Sequence, residues 1–246
     1  MRELPETLME AGLDAFGLEI VVDTPEVAIR SLSVSGDVAL ESWTKARRVV
    51  PEAGFWPVLL GTRLELEELA SRIASSSSSS TEILERAENL PPDPVKLAAL
   101  THGALLEALK ESRFKDLALE GTGSSGGPLE PMRWRIAADQ PEVLLAFLPA
   151  AVPWQVPALL RFGSSGGSPP PEEHVALMKH WADTYGAELV GMTRDTVELQ
   201  VARPPADKEA ALALGNELVA YCPRFGGTPE ERAQALVGCG VWSFRW

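Results

Sequence analysis

Residues Val156–Pro223 read VPALLRFGSSGGSPPPEEHVALMKHWADTYGAELVGMTRDTVELQVARPPADKEAALALGNELVAYCP, and this stretch decides the fold. Pro171, Glu172 and Glu173 open a helix, with proline in its first turn and carboxylates at the positive end of the dipole. Val175, Met178, Trp181, Ala182 and Tyr185 fall on one face of that helix, and Gly186 stops it. Before it, Pro157–Phe162 predicts a buried strand. After it, Ala187–Thr193 and Thr196–Arg203 predict two strands joined by a tight turn at Arg194-Asp195. In the second, Val197, Leu199 and Val201 alternate with Thr196, Glu198 and Gln200, which predicts one buried face and one wet face. A helix from Asp207 to Tyr221, a short helix at Pro229–Val237 and a strand at Val241–Trp246 complete the order β-α-β-β-α-β. That order fits an α+β fold of split-βαβ type, with helices on one face of an antiparallel sheet.

Upstream, the chain reads as an N-terminal α/β lobe. It has a helix at Pro5–Ala11, strands at Leu18–Asp23 and Val27–Val34, a helix at Ala39–Val50 and a buried strand at Phe55–Gly61. Thr62 and Glu65 have capping-box spacing ahead of a helix whose apolar face is Leu64, Leu66, Leu69 and Ile73. The six serines Ser75–Ser80 offer nothing to bury and predict a linker. Helices resume at Thr81–Asn89 and Pro94–Ser112, a second low-complexity loop spans Gly121–Pro131, and strands follow at Trp134–Ala137 and Val143–Leu148. The expected division is residues 1–131 and 132–246.

The 246 residues carry 35 acidic and 22 basic side chains, a net charge of −13. Such a balance argues against a nucleic-acid partner, which calls for clustered Lys and Arg. No window reaches the ~18 apolar residues of a membrane span, and the start lacks a signal peptide's apolar core; a cytoplasmic location is expected. Cys222 and Cys239, the two cysteines, form no CxxC, and no histidine has a metal-ligand partner at helical spacing. No metal and no cofactor are expected.

Motifs of letter only are frequent. Gly121–Gly126 matches GxGxxG, but prolines follow where a helix must open on a pyrophosphate. Ser125 and Ser165 both sit in GxSxG, yet neither stands on a strand-to-helix elbow. The groups left with chemistry are His174 as acid or base, Glu198 or Asp195 as its orienting carboxylate, and Arg203, Tyr221, Cys222 and Trp181 around a ligand.

Several runs carry a resemblance: Pro170-Pro-Glu-Glu-His174-Val-Ala-Leu177, Trp181, Tyr185-Gly-Ala-Glu-Leu189, Asp195-Thr-Val-Glu-Leu199, Val201-Ala-Arg-Pro-Pro205, Ala220-Tyr-Cys-Pro223 and Val241-Trp242. From about Pro149 to Trp246 the chain resembles the bacterial domain-of-unknown-function family 4253. Gly54–Gly61 looks like segments that precede the domain in longer members. The resemblance implies a bacterial, cytoplasmic setting and no particular reaction. Where the family carries a Gly-Trp-Asn-x-Cys-Pro-like loop, this chain has Gly163-Ser-Ser-Gly-Gly-Ser-Pro169.

Two functions compete. The first is a non-catalytic binding protein, in one form an antidote, whose acidic surface meets a basic protein. The second is an enzyme on a small molecule, working in the cleft between lobes with a His/carboxylate pair. Convergence of the named side chains on one pocket discriminates them.

Overall fold

The computed structural model describes residues 3–91, 129–164 and 168–246. Among these, the helices are α1 (Leu4–Glu10), α2 (Ala39–Val49), α3 (Arg63–Ser75), α4 (Ser80–Glu88), α5 (Val156–Leu159), α6 (Pro171–Tyr185), α7 (Lys208–Tyr221) and α8 (Pro229–Leu236). The strands are β1 (Glu19–Asp23), β2 (Ala28–Val34), β3 (Trp56–Leu59), β4 (Val143–Leu148), β5 (Ala187–Met192), β6 (Thr196–Val201) and β7 (Val241–Arg245). The fold is α+β.

All seven strands join one sheet in the order β1-β2-β4-β3-β5-β6-β7. Every neighbouring pair is antiparallel except β3–β5, which runs parallel at Leu59 and Gly191, so the sheet is mixed rather than antiparallel. β4 lies beyond residue 131 in sequence yet sits between β2 and β3. The two expected regions therefore share one sheet. Arg47 fastens them further: it pairs with Glu188 at 2.5 Å and lies 4.5 Å over the Trp56 ring, while the Trp56 indole donates to the Leu189 carbonyl at 2.9 Å.

Both faces are covered. On one, Trp56, Val58, Leu144, Ala146, Leu148, Leu199 and Phe244 pack against α3, α6, α7 and α8. On the other, Leu145, Phe147 and Val190 meet α1, α2 and the segment around Ile136 and Ala137. Strand alternation drives both, since β4 is apolar at every position and so feeds two cores.

Several expectations are corrected. Trp134–Ala137 is not a strand; it lies irregularly across β5 and β6, with Ile136 over Gly191, where a Cβ would come within 2.6 Å of the Ile136 side chain. For that reason β6 has no wet face: Thr196 and Glu198 are buried and Gln200 alone is exposed. Pro157–Phe162 is not a strand either. Pro157 occupies the first turn of the short helix α5, where its missing N–H costs nothing. Leu64, expected on the apolar face of α3, is exposed.

The serine tract is structural at its end. Ser79 caps α4 in a capping box with Glu82. Ser80 accepts from the buried guanidinium of Arg161 at 2.7 Å, and Arg161 also reaches Glu26. These bonds hold Arg161 in a left-handed backbone conformation (φ 51°) that an L-residue adopts only under constraint. Ile83 and Ala87 of α4 then pack on Ala158 and Val175. The helix at Pro94–Ser112, the loop Gly121–Gly126, Ser125, His102 and Ser165 lie outside the described residues.

Candidate functional site

The α6 start is fixed by Pro171 and by the Pro170 carbonyl, which accepts from the Glu173 and His174 amides. This turn points His174 inward, where Phe162, Gly163, Ser168 and Pro169 lie against it. Gly163 makes this approach feasible: at φ +123° a Cβ would lie 2.1 Å from the Pro169 oxygen and 3.0 Å from the imidazole. His174 is fully buried between Phe162, Tyr221 and Trp246, whose ring centroids lie 4.7, 5.3 and 5.4 Å away. One ring nitrogen is 2.7 Å from the Tyr221 hydroxyl and the other 2.9 Å from Ser168 Oγ. Desolvation pushes its pKa down to about 3; the Pro169 carbonyl opposes this and the Arg72 charge adds to it. The imidazole is therefore neutral, with both nitrogens engaged inside the core.

Trp181 and Tyr221 share this aromatic core. The Trp181 indole donates to Glu217 at 3.1 Å and stacks 5.8 Å from Phe244. Burial raises the Tyr221 phenol well above its ordinary value, with Cys222 adding to the effect. Burial likewise pushes the Cys222 thiol up to about 11, so it is no thiolate nucleophile.

The carboxylates stand elsewhere. Glu198 alternates with Val197 and Leu199, both of which face the His174 side, so Glu198 points to the opposite face of the sheet. There one carboxylate oxygen accepts from the Arg135 and Ile136 amides, while Oε2 is buried with no partner. Desolvation raises its pKa to about 7 against the opposing pull of those two amides and the Arg135 charge. Asp195 closes the β5–β6 hairpin, accepting from Thr196 Oγ1 at 2.9 Å and pairing with Arg245 at 3.3 Å. Arg203 is exposed and donates to the Asp183 carbonyl at the end of α6, a favourable place for a cation. Of the seven expected residues, the structure therefore brings together His174, Tyr221, Trp181 and Cys222. Asp195, Glu198 and Arg203 are each in a different place.

Two cavities lie away from that core. A groove of about 430 Å³ runs between α4 and α6, floored by Leu84, Ala87, Trp154 and Val175. Glu88, Lys179, His180 and Asp183 line it too. Of these, Lys179 is engaged, 2.8 Å from Asp183 and 5.4 Å over Trp154. A smaller cavity of about 100 Å³ opens at the outer edge of β7, lined by Arg135, Arg224, Arg245, Ser243, Cys222 and Glu130, among others.

The second cavity holds residues that sequence reasoning missed. Ser243 stands directly opposite Glu198 across β6 and β7. The alternation of the last strand was the available signal. Arg135 had none, because its position depends on a segment without regular structure.

Among the described residues no helix is long and apolar enough to cross a membrane, and no group of His, Cys, Asp and Glu has metal-holding geometry. Comparison with curated proteins finds no match, nor does comparison with solved structures. Residues 144–246, which carry β4 to β7 and α5 to α8, match the model of the family described as Domain of unknown function (DUF4253), as the resemblance of the C-terminal part implies.

Proposed function

We propose that the chain is a non-catalytic, cytoplasmic binding protein that receives an extended, cationic protein segment along its β1 edge. The observation that carries this reading is the state of that edge. β1 ends the sheet and pairs only with β2, so that among the described residues one side of its backbone ladder is open. Open edges pair readily with added strands unless they are blunted. Here apolar side chains stand out from the surface beside it: Phe16 is 95% exposed and Ile20 55%. Asp14 precedes the strand and Asp23 ends it, both exposed. In a chain of net charge −13, a basic segment approaches such an edge faster than a neutral one.

The separation of His174 from Glu198 supports the same reading, since the enzyme alternative needs them in one pocket. Calorimetry with an eight-residue peptide of alternating lysine and valine, and with its glutamate counterpart, tests the proposal. The lysine peptide should bind, weaken roughly tenfold or more between low and physiological salt, and lose affinity in an Ile20→Lys variant. Equal binding of both peptides, or an unchanged affinity in the variant, overturns it.

A further inference from the structure

The geometry points to a binding site for a compact oxyanion, of phosphate or carboxylate type, at the outer edge of β7, where Arg135, Arg224, Arg245 and Ser243 line one cavity. It is independent of the β1 edge, which lies at the other end of the sheet.

The first support is charge. Three guanidinium groups line one cavity of about 100 Å³ in a chain where acids outnumber bases. Two have carboxylate partners: Arg135 pairs with Glu130 at 2.8 Å, and Arg245 with Asp195 at 3.3 Å. Arg224 is exposed and has no carboxylate partner among the described residues, which leaves the group cationic. Guanidinium forks match the planar or tetrahedral oxygens of carboxylate and phosphate.

The second support is an unmet polar group. Ser243 Oγ is buried and has no partner, although it lines the cavity. Buried hydroxyls are seldom left so, and an anion's oxygen supplies the missing acceptor.

The third support is the strand edge itself. Trp246 donates to Asp195 and Gly240 accepts from Val201, so even-numbered residues of β7 bond inward to β6 and odd-numbered ones face outward. Among the described residues, the Ser243 amide donates to Met132 Sδ at 3.2 Å, and the Arg245 carbonyl accepts from Cys222 Sγ at 3.2 Å. The Arg245 amide faces the same side and adds a donor. The Cys222 thiol, neutral and donating to that carbonyl, brings no competing negative charge.

Size selects the ligand. The cavity holds about three water volumes, which suits an inorganic phosphate or an acetate.

The test uses the full chain in melting and calorimetric titrations with inorganic phosphate and with acetate, each against chloride at equal ionic strength. Phosphate or acetate should raise the melting temperature above the chloride control by mass action. The Arg224→Ala variant, altered at an exposed side chain, should bind about tenfold more weakly. A Ser243→Ala variant should weaken binding further without lowering the melting temperature of the free protein. A response to phosphate alone assigns a tetrahedral ligand, and one to acetate alone a planar one. Identical melting in all three salts, or an equal response in Arg224→Ala, overturns the proposal.

Discussion

His174 and Tyr221 are hydrogen-bonded to each other inside the core, imidazole nitrogen to phenol oxygen at 2.7 Å, with neither side chain in contact with solvent to any useful degree. The residues most suited by type to acid–base work are thus spent on holding α6 to α7. Tyr221→Phe leaves a ring nitrogen buried without its partner, at a cost of about 1–3 kcal/mol. Urea unfolding should show a lower midpoint with the slope unchanged, while affinity for a cationic peptide stays as it was.

Two buried groups give the protein opposing responses to pH. Glu198 has a folded pKa of about 7 against an ordinary 4.5, so the folded state keeps this proton. Its contribution is complete below 4.5 and is lost as pH rises through 7. His174, at about 3 against 6.5, behaves oppositely: its contribution is complete above 6.5 and is lost as pH falls towards 3. Within its own window each slope is about 1.4 kcal/mol per pH unit, and the two cancel where the windows overlap, from about 4.5 to 6.5. Glu198→Gln removes one of them. The stability of the variant relative to the parent should rise by about 3 kcal/mol from pH 4.5 to 7; a difference that stays constant with pH would show that Glu198 ionises normally.

Gly163→Ala tests the cover over His174. A methyl at φ +123° meets the Pro169 oxygen and the imidazole at once. A loss of about 2–4 kcal/mol is expected, from backbone strain and displaced packing together. Thermal unfolding reads it, and quenching of Trp246 fluorescence by acrylamide reports whether the cover has lifted.

The two thiols should differ in reactivity. Cys222 is buried and its pKa is pushed up to about 11, whereas Cys239 is half-buried. With a colorimetric disulfide reagent at neutral pH, Cys239 should react in the folded protein and Cys222 only after denaturation. Fast reaction of both would contradict the packing of α7 against β7.

Much of this architecture was legible in the sequence where local chemistry decides it. The capping box at Thr62 and Glu65, the glycine stop at Gly186 and the β5–β6 hairpin all stand as read. Long-range pairing was not legible. The alternation in β6 implied a wet face because nothing nearby announced that Arg135 and Ile136 would cover Glu198. Pro157–Phe162 is apolar throughout, and an apolar run that short fits a strand or a buried helical turn equally well. For the site, residue type singled out His174 and Glu198 as a candidate acid–base pair. It could not say that a sheet stands between them.

The position of β4 has a consequence for synthesis. β2 and β3 leave the ribosome well before β4, the strand that must come to lie between them. Until it arrives the nascent chain holds a β1–β2 hairpin and a separate β3, each with an unfilled flank. The segment matched to the family begins at residue 144, inside β4, whose neighbours both come from upstream. Cut free there, it would keep β5, β6 and β7 as a three-stranded remnant and leave β4 with nothing to pair against.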